Sequence, residues 1–225
     1  MERICAIFSH YRRISLTEMC LQKLAQQTVP PHRVVVADNG AGDGSLDGVK
    51  EQAAAGAYPF MLEIIDMPGN TGNAGGIARG LERAFSFPDV DAVWILDDDS
   101  WPEPDALACL LSHGPGTDGM EWPCVRVCKV VDLKQGGELS WPMVLLDEKD
   151  GRRIHVTRGD ALPEAPFLLT GGAFLGALVP REIHDKVRGP TAGLFIRGED
   201  EEYPWIISRA GFRTYLVSGS ILHHP

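Results

Sequence analysis

The sequence predicts an α/β fold, a Rossmann-like and mostly parallel central sheet flanked by helices. Three observations point there. Val34-Val35-Val36-Ala37 and Val93-Trp94-Ile95-Leu96 contain no polar residue, as expected of strands buried on both faces of a parallel sheet. Between the apolar residues 3–9 and the first of these runs, Leu16, Met19, Cys20 and Leu24 recur at helical spacing, which makes a strand–helix–strand unit. Both apolar runs then stop at carboxylates, Asp38 after one and Asp97, Asp98 and Asp99 after the other, at the strand ends where open α/β sheets take their ligands.

Taken in order, residues 3–9 read as the first strand. The following helix has Ser15 or Thr17 as a cap and closes before Pro30-Pro31. Residues 34–37 are the second strand, and Asp38-Asn39-Gly40 opens a turn rich in Gly and Asp. Asp38 is either the anchor of an Asx turn or a ligand contact. Residues 49–56 read as a helix and 60–66 as the third strand. Pro68-Gly69-Asn70-Thr71-Gly72-Asn73-Ala74-Gly75-Gly76 reads as a loop leading into a helix over 77–85. Such a loop offers bare N–H groups and a positive dipole end to a phosphate; the same glycines equally serve a tight turn and close helix packing. Arg79, in that helix, either pairs with a diphosphate or is solvated. Neither a P-loop nor a Gly-x-Gly-x-x-Gly fingerprint is present.

After the strand at 93–96, residues 105–111 read as a helix. Short alternating strands follow near 124–131 and 143–146, then a polar turn at 148–153. Residues 168–177 are apolar with small members, which lets backbone lie close to a ligand. Glu199, Asp200, Glu201 and Glu202 crowd the start of a helix that runs to Arg209, where the dipole favours acids and Pro204 is tolerated. Residues 214–217 form a last strand before Leu222-His223-His224-Pro225.

With 225 residues, 44% apolar and 23% charged, the chain has the make-up of one sizeable globular domain. Its net charge of -10 argues against nucleic acid as the partner. An anionic substrate would need a metal or a local cluster of Arg and backbone N–H groups. Cys5, Cys20, Cys109, Cys124 and Cys128 are odd in number and scattered, which fits reduced thiols and a cytoplasmic location. Cys124 and Cys128 lack the paired Cys-x-x-Cys spacing of structural zinc. The first residues lack the pattern of a signal peptide, and no run approaches the ~18 apolar residues of a membrane span. No amphipathic basic helix marks a membrane surface, and nothing sets an oligomeric state.

Three acids at one strand end repel one another, so something cationic belongs among them. Mg²⁺ or Mn²⁺ takes oxygen ligands and bridges a carboxylate to a substrate phosphate; a solvated acidic turn is the plainer alternative.

Together these segments resemble the family 2 glycosyltransferases of GT-A fold, in particular the bacterial rhamnosyl- and galactofuranosyltransferases. The matching pieces are Ile7-Phe8-Ser9-His10-Tyr11-Arg12, Val35-Val36-Ala37-Asp38-Asn39-Gly40 with Asp43, and the stretch from Asn70 to Gly80. Leu96-Asp97-Asp98-Asp99, Gly171-Gly172, Glu199-Asp200-Glu201-Glu202-Tyr203 and the terminal histidines follow in order. The resemblance implies a metal site at Asp97 and Asp99, completed by His223 or His224, for Mn²⁺ or Mg²⁺. It implies a nucleotide-sugar site from Asp38, Asn39, Asn70, Gly72, Asn73, Gly76, Arg79 and Asp98, and Asp200 as general base. Gly198 and Glu199 depart from the family's usual residues, and an end directly after the histidines suggests a truncated or minimal member.

On that resemblance the chain is a single GT-A domain. Residues 1–111 are the nucleotide-sugar half, and residues 112–225 are an acceptor half with a smaller mixed-strand region. The implied reaction is an inverting transfer of rhamnose or galactofuranose from a UDP- or dTDP-linked donor to a glycan or lipid-linked acceptor, with peripheral membrane association open. A catalytically incomplete relative that binds a nucleotide sugar or glycan is the alternative. A glycosidase would also use paired carboxylates but needs neither metal nor phosphate loop.

Overall fold

A computed structural model describes residues 2–117, 119–132, 134, 138–147, 150–164, 166–170 and 173–224. In chain order it holds β1 (Ile4–His10), α1 (Ile14–Ala25), β2 (Arg33–Asp38), α2 (Asp47–Ala54), β3 (Met61–Asp66), α3 (Gly72–Ser86), β4 (Ala92–Ile95), β5 (Trp101–Pro102) and α4 (Ala106–Ser112). These are followed by β6 (Cys124–Asp132), β7 (Glu138–Asp147), β8 (Arg152–Arg158), β9 (Phe167–Leu168), β10 (Ala177–Pro180), α5 (Arg181–His184), α6 (Glu199–Arg209) and β11 (Arg213–His224).

The main path of the sheet runs β3-β2-β1-β4-β10-β6-β11-β5. Its first four strands are parallel, β10 returns antiparallel between β4 and β6, and β6 and β11 are again parallel. The strand order reverses between β1 and β4, which places a ligand-binding crevice at their carboxyl ends. Alternation along the strands divides the core into two layers. Cys5 and Ile7 of β1, with Val35, Val93 and Ile95, pack on Ile77, Leu81 and Phe85 of α3. Ile4, Ala6 and Phe8, with Val36 and the wholly buried Trp94, face Leu21, Leu24, Val49 and Leu107 on the opposite side.

Four local expectations change. The glycine-rich stretch is mostly helix, since α3 begins at Gly72 and not near residue 77. A Cβ on Gly76 would stand 2.6 Å from Ser9 Oγ, and one on Gly80 would stand 3.4 Å from the Ile7 side chain. Those two glycines let α3 lie directly on β1. Thr17 is no helix cap: its Oγ1 lies 2.8 Å from His10 Nδ1, and His10 Nε2 lies 3.0 Å from Ser45 Oγ. His10 thereby ties the end of β1 to the flanking elements, and burial holds its pKa below the ordinary imidazole value. The polar segment after residue 150 forms β8, paired with β7; Ile154 and Val156 alone are apolar in Arg-Arg-Ile-His-Val-Thr-Arg, too few to announce a strand. The last strand runs on from Val217 through an irregularity to His224. Gly171 and Gly172, Glu148 and Lys149 of the polar turn, and Pro225 lie outside the described residues.

Cys5, Cys20, Cys124 and Cys128 are buried and Cys109 is partly exposed. Burial pushes the Cys5 and Cys128 thiols up to about 12 and Cys124 up to about 11. Since the thiolate is the reactive form, iodoacetamide on the native protein should modify Cys109 first, the other four becoming reactive only in denaturant. Peptide mass mapping reads the order; early modification of Cys5 or Cys128 would contradict this packing.

Candidate functional site

The acidic triplet is fixed from both sides. Leu96 N donates to Ile7 O at 2.9 Å, and Gly176 N donates to Ile95 O at 2.8 Å. The chain then turns, with Ser100 N and Ser100 Oγ both donating to Asp97 O. This turn leaves the three carboxylates in different surroundings. Asp98 is 2% exposed and is gripped by Arg13, whose Nε donates to Oδ2 at 3.1 Å while Nη2 pairs with Oδ1. Arg13 Nη1 reaches Asp99 Oδ2 at 2.7 Å. The cation that the triplet demands is therefore partly a guanidinium from the β1–α1 junction. Its sequence signal was a basic pair directly after the first strand, next to nothing acidic in sequence.

Asp97 and Asp99 with His224 form the one cluster of potential metal ligands found among the described residues, with ligand atoms all within 4.8 Å of one another. His224 Nε2 lies 3.5 Å from Asp99 Oδ1. Successive residues of a strand point to opposite faces, so His223 turns away, its Nε2 2.5 Å from Glu103 Oε1. The structure thus separates the two histidines, and His223 is not part of the cluster. Burial and then the charge of Asp99 push Asp97 up to about 6, against the pull of His224. Burial also raises Asp98, with Arg13 opposing. Burial would raise Asp99 as well, but its hydrogen bond with His224 and the Arg13 charge bring it below the ordinary carboxylate range. Two carboxylates and an imidazole around one point make a donor set that fits Mn²⁺ or Mg²⁺.

Asn39 organises the neighbouring wall. Its Nδ2 donates to Ser9 Oγ at 2.8 Å and to Gly72 O at 3.1 Å, and its Oδ1 accepts from Thr71 N and Thr71 Oγ1, each at 2.8 Å. Asn70 Oδ1 accepts from Gly72 N at 3.0 Å. Gly72 sits at φ 71°, where a Cβ would fall 2.0 Å from Phe195 O, so the start of α3 is pressed against the segment before α6. Asn73 Nδ2 donates to Asp97 Oδ1 and to Glu199 Oε1, both at 3.3 Å. Asp38 is buried and its Oδ1 accepts from Gly40 N at 2.9 Å, an Asx turn. Arg79 is on the helix surface, paired with Glu82 at 2.5 Å, and does not line the cleft at the triplet among the described residues.

Two clefts meet here. One of about 620 Å³ is lined by Arg13, Asn39, Asn70, Gly72, Asn73 and the triplet with His224. The other, of about 450 Å³, is walled by Trp141, Met143, Leu169 and Phe174 and carries Glu199, Asp200 and Glu201. Asn73, Asp97 and Ile196 belong to both. Asp200 is exposed, with Oδ1 accepting from Gly198 N at 3.0 Å. Glu199 is 2% exposed, and burial raises its pKa. Trp141 is half-exposed and lies 5.0 Å, ring to ring, from His224. In sequence Glu199 stood out only as a departure from the family's usual residue within an acidic run, and Trp141 lay in a stretch without a motif.

Comparison with known proteins follows this geometry. A model of the family described as Glycosyl transferase family 2 matches residues 5–136, more than half of the chain. Galactofuranosyltransferase GlfT1 of Mycolicibacterium smegmatis is 27% identical over 231 residues, covering 99% of this chain and 71% of that protein. GlfT1 of Mycobacterium tuberculosis is 29% identical over 227 residues, covering 100% and 70%. Among solved structures, GalNAc-T7 with UDP, GalNAc and Mn²⁺ superposes with a TM-score of 0.71 at 13% identity, over 100% of this chain and 44% of that one. S. aureus TarS 1-349 in complex with UDP gives 0.66 at 16% identity, over 99% of this chain and 60% of that one. At these identities the likeness is one of fold, and the fold is of GT-A type.

Removing Arg13 leaves a buried carboxylate without its fork, a loss of about 1–3 kcal/mol for an unsatisfied buried group. Arg13→Ala should lower the urea midpoint accordingly. Arg13→Lys should restore only part of it, because an ammonium cannot span both oxygens. A midpoint unchanged in Arg13→Ala would show that Asp98 needs no partner.

Proposed function

The chain belongs to glycosyl transferase family 2, and from that premise we propose that it moves galactofuranose or rhamnose, with inversion, from a UDP- or dTDP-linked donor to a hydroxyl of a glycan or lipid-linked acceptor. The observation that carries this reading is Asp97, which joins a cluster fit for a divalent ion and also lines both clefts. A reaction between two bound molecules needs a shared floor, where donor and acceptor are held in reach of one another.

In this assignment the cleft with Arg13, Asn39, Asn70 and Gly72 takes the nucleoside diphosphate, and the apolar cleft takes the acceptor. Residues 1–111 supply most of the donor side and residues 112–225 most of the acceptor side, His224 crossing over from the last strand. Asp97, Asp99 and His224 would hold Mn²⁺ or Mg²⁺, which when bound neutralises charge on the departing diphosphate. Asp98 serves through Arg13, keeping that guanidinium beside the diphosphate. Asn39 and Gly76 act at one remove, shaping the start of α3, and Asp38 anchors the turn at the base end. Arg79 has no part. Asp200, exposed in the acceptor cleft, takes the proton of the attacking hydroxyl, a contribution of roughly 10²–10⁴ in rate. In this reading the enzyme works in the cytoplasm, on acceptors either free or held at the inner face of the membrane. No described helix is long and apolar enough to cross a membrane.

Two experiments test this. Release of nucleoside diphosphate from UDP- and dTDP-sugars, with Mn²⁺ and glycoside acceptors, should be seen in the native protein and vanish in Asp200→Asn, while metal-dependent UDP binding by calorimetry persists. Donor binding without turnover in the native protein would leave a binding relative instead. Separately, His224→Ala should weaken Mn²⁺ by at least about tenfold, since even outer-shell changes at metal sites cost 10–100-fold, and His223→Ala should leave it nearly unchanged. Equal effects of the two substitutions would refute the assignment of His224.

A further inference from the structure

Of the four acids that open α6, Glu199 alone is buried. Its Oε1 accepts from Asn73 Nδ2, and the same nitrogen donates to Asp97 Oδ1. Its Oε2 is buried and has no hydrogen-bond partner among the described residues. Buried polar atoms are almost always paired, and a carboxylate oxygen can only be paired by a donor. Glu199 lines the acceptor cleft, where Met143, Leu169 and Phe174 carry no donor and the Thr170 hydroxyl is spent on Val144 O at 3.1 Å. A polyol brings both things this cleft asks for, a C–H face for the apolar wall and a hydroxyl for the unpaired oxygen.

Resting on the glycosyltransfer reading above, we propose that Glu199 is an acceptor-binding residue: Oε2 accepts a hydrogen bond from an acceptor hydroxyl other than the attacking one, while Oε1, through Asn73, holds that contact in register with Asp97. No bond is made or broken at Glu199. The proton leaves through Asp200, at the exposed rim of the same cleft, and Glu199 sets which ring position is turned toward it. One acid is thus the base and its neighbour the gauge of orientation, because one faces solvent and the other the interior.

The test is a substitution cycle with Glu199→Gln, which keeps the shape and the acceptor oxygen for Asn73 but not the anionic oxygen. The substrates are UDP-galactofuranose with octyl galactofuranoside or octyl rhamnoside and their monodeoxy derivatives. In the native protein one deoxy acceptor, apart from that lacking the attacking hydroxyl, should lose about tenfold in kcat/KM, as for a hydrogen bond to a charged group. In Glu199→Gln the acceptor KM should rise by about tenfold with kcat changed less than about threefold, and that deoxy penalty should disappear. UDP affinity in Mn²⁺ should stay within about twofold, because the lost contact is on the acceptor side. An unchanged acceptor KM, or an intact deoxy penalty, would overturn the proposal. So would an equal loss of UDP binding, which would make Glu199 only a prop for Asn73. Should Glu199→Gln fail to fold, the native protein still decides: no deoxy penalty at any position would overturn the inference. Absence of turnover in the native protein with every donor and acceptor would remove the glycosyltransfer reading and this inference with it.

Discussion

The site depends on how anionic side chains are kept at the end of a strand that the fold has taken out of water. Ala92, Val93, Trp94 and Ile95 are buried on both faces, so the residues that follow emerge inside the molecule. Burying a carboxylate is costly unless it is paired and hydrogen-bonded. Each acid of the triplet finds a different compensation: Asp98 the fork of Arg13, Asp99 the same guanidinium and His224, Asp97 the Asn73 amide. Those partners come from the β1–α1 junction, the start of α3 and the final strand. Neutralising one strand end therefore gathers segments from almost the whole length of the chain.

The same requirement explains why α3 begins so close to the triplet. Its glycines remove side chains where the helix meets Ser9 and the segment before α6, and Asn39 fills all its hydrogen-bonding capacity in holding that approach. Asn73 then reaches both Asp97 and Glu199 from a helix packed on the core. Precision in the cleft thus derives from close backbone packing, which loops alone would not supply.

Much of the fold was legible in the sequence, because two-sided burial leaves runs such as residues 34–37 and 93–96 that admit few readings. The acidic strand ends were legible as the points where such runs stop, whereas the glycine stretch, read as a loop, is helix from Gly72 on. The part that was not legible is what depends on distant partners. Arg13 and Asp98 are 85 positions apart, and nothing local separates a bound arginine from a solvated one. Arg79 looked better placed than Arg13 by motif, yet Glu82 lies one turn further along its helix and takes it. Within the acidic run, composition could not say that Glu199 faces inward and Asp200 outward; helix phase against the core decides that. The paired strands β7 and β8 have few buried positions, and a half-exposed strand leaves little pattern to read.

The irregularity in β11 has a consequence for how the terminal histidines came to be unequal. Val217 pairs with Cys128 and Ile221 with Lys129, so one strand advances four residues while its neighbour advances one. Everything beyond that point, His224 included, owes its facing to the number of residues in the detour. One residue more among Ser218, Gly219 and Ser220, with the pairing beyond them kept, would put His223 at the place that His224 holds beside Asp99. Which imidazole faces Asp99 is held as a parity, set in a short stretch of small residues well before the histidines themselves.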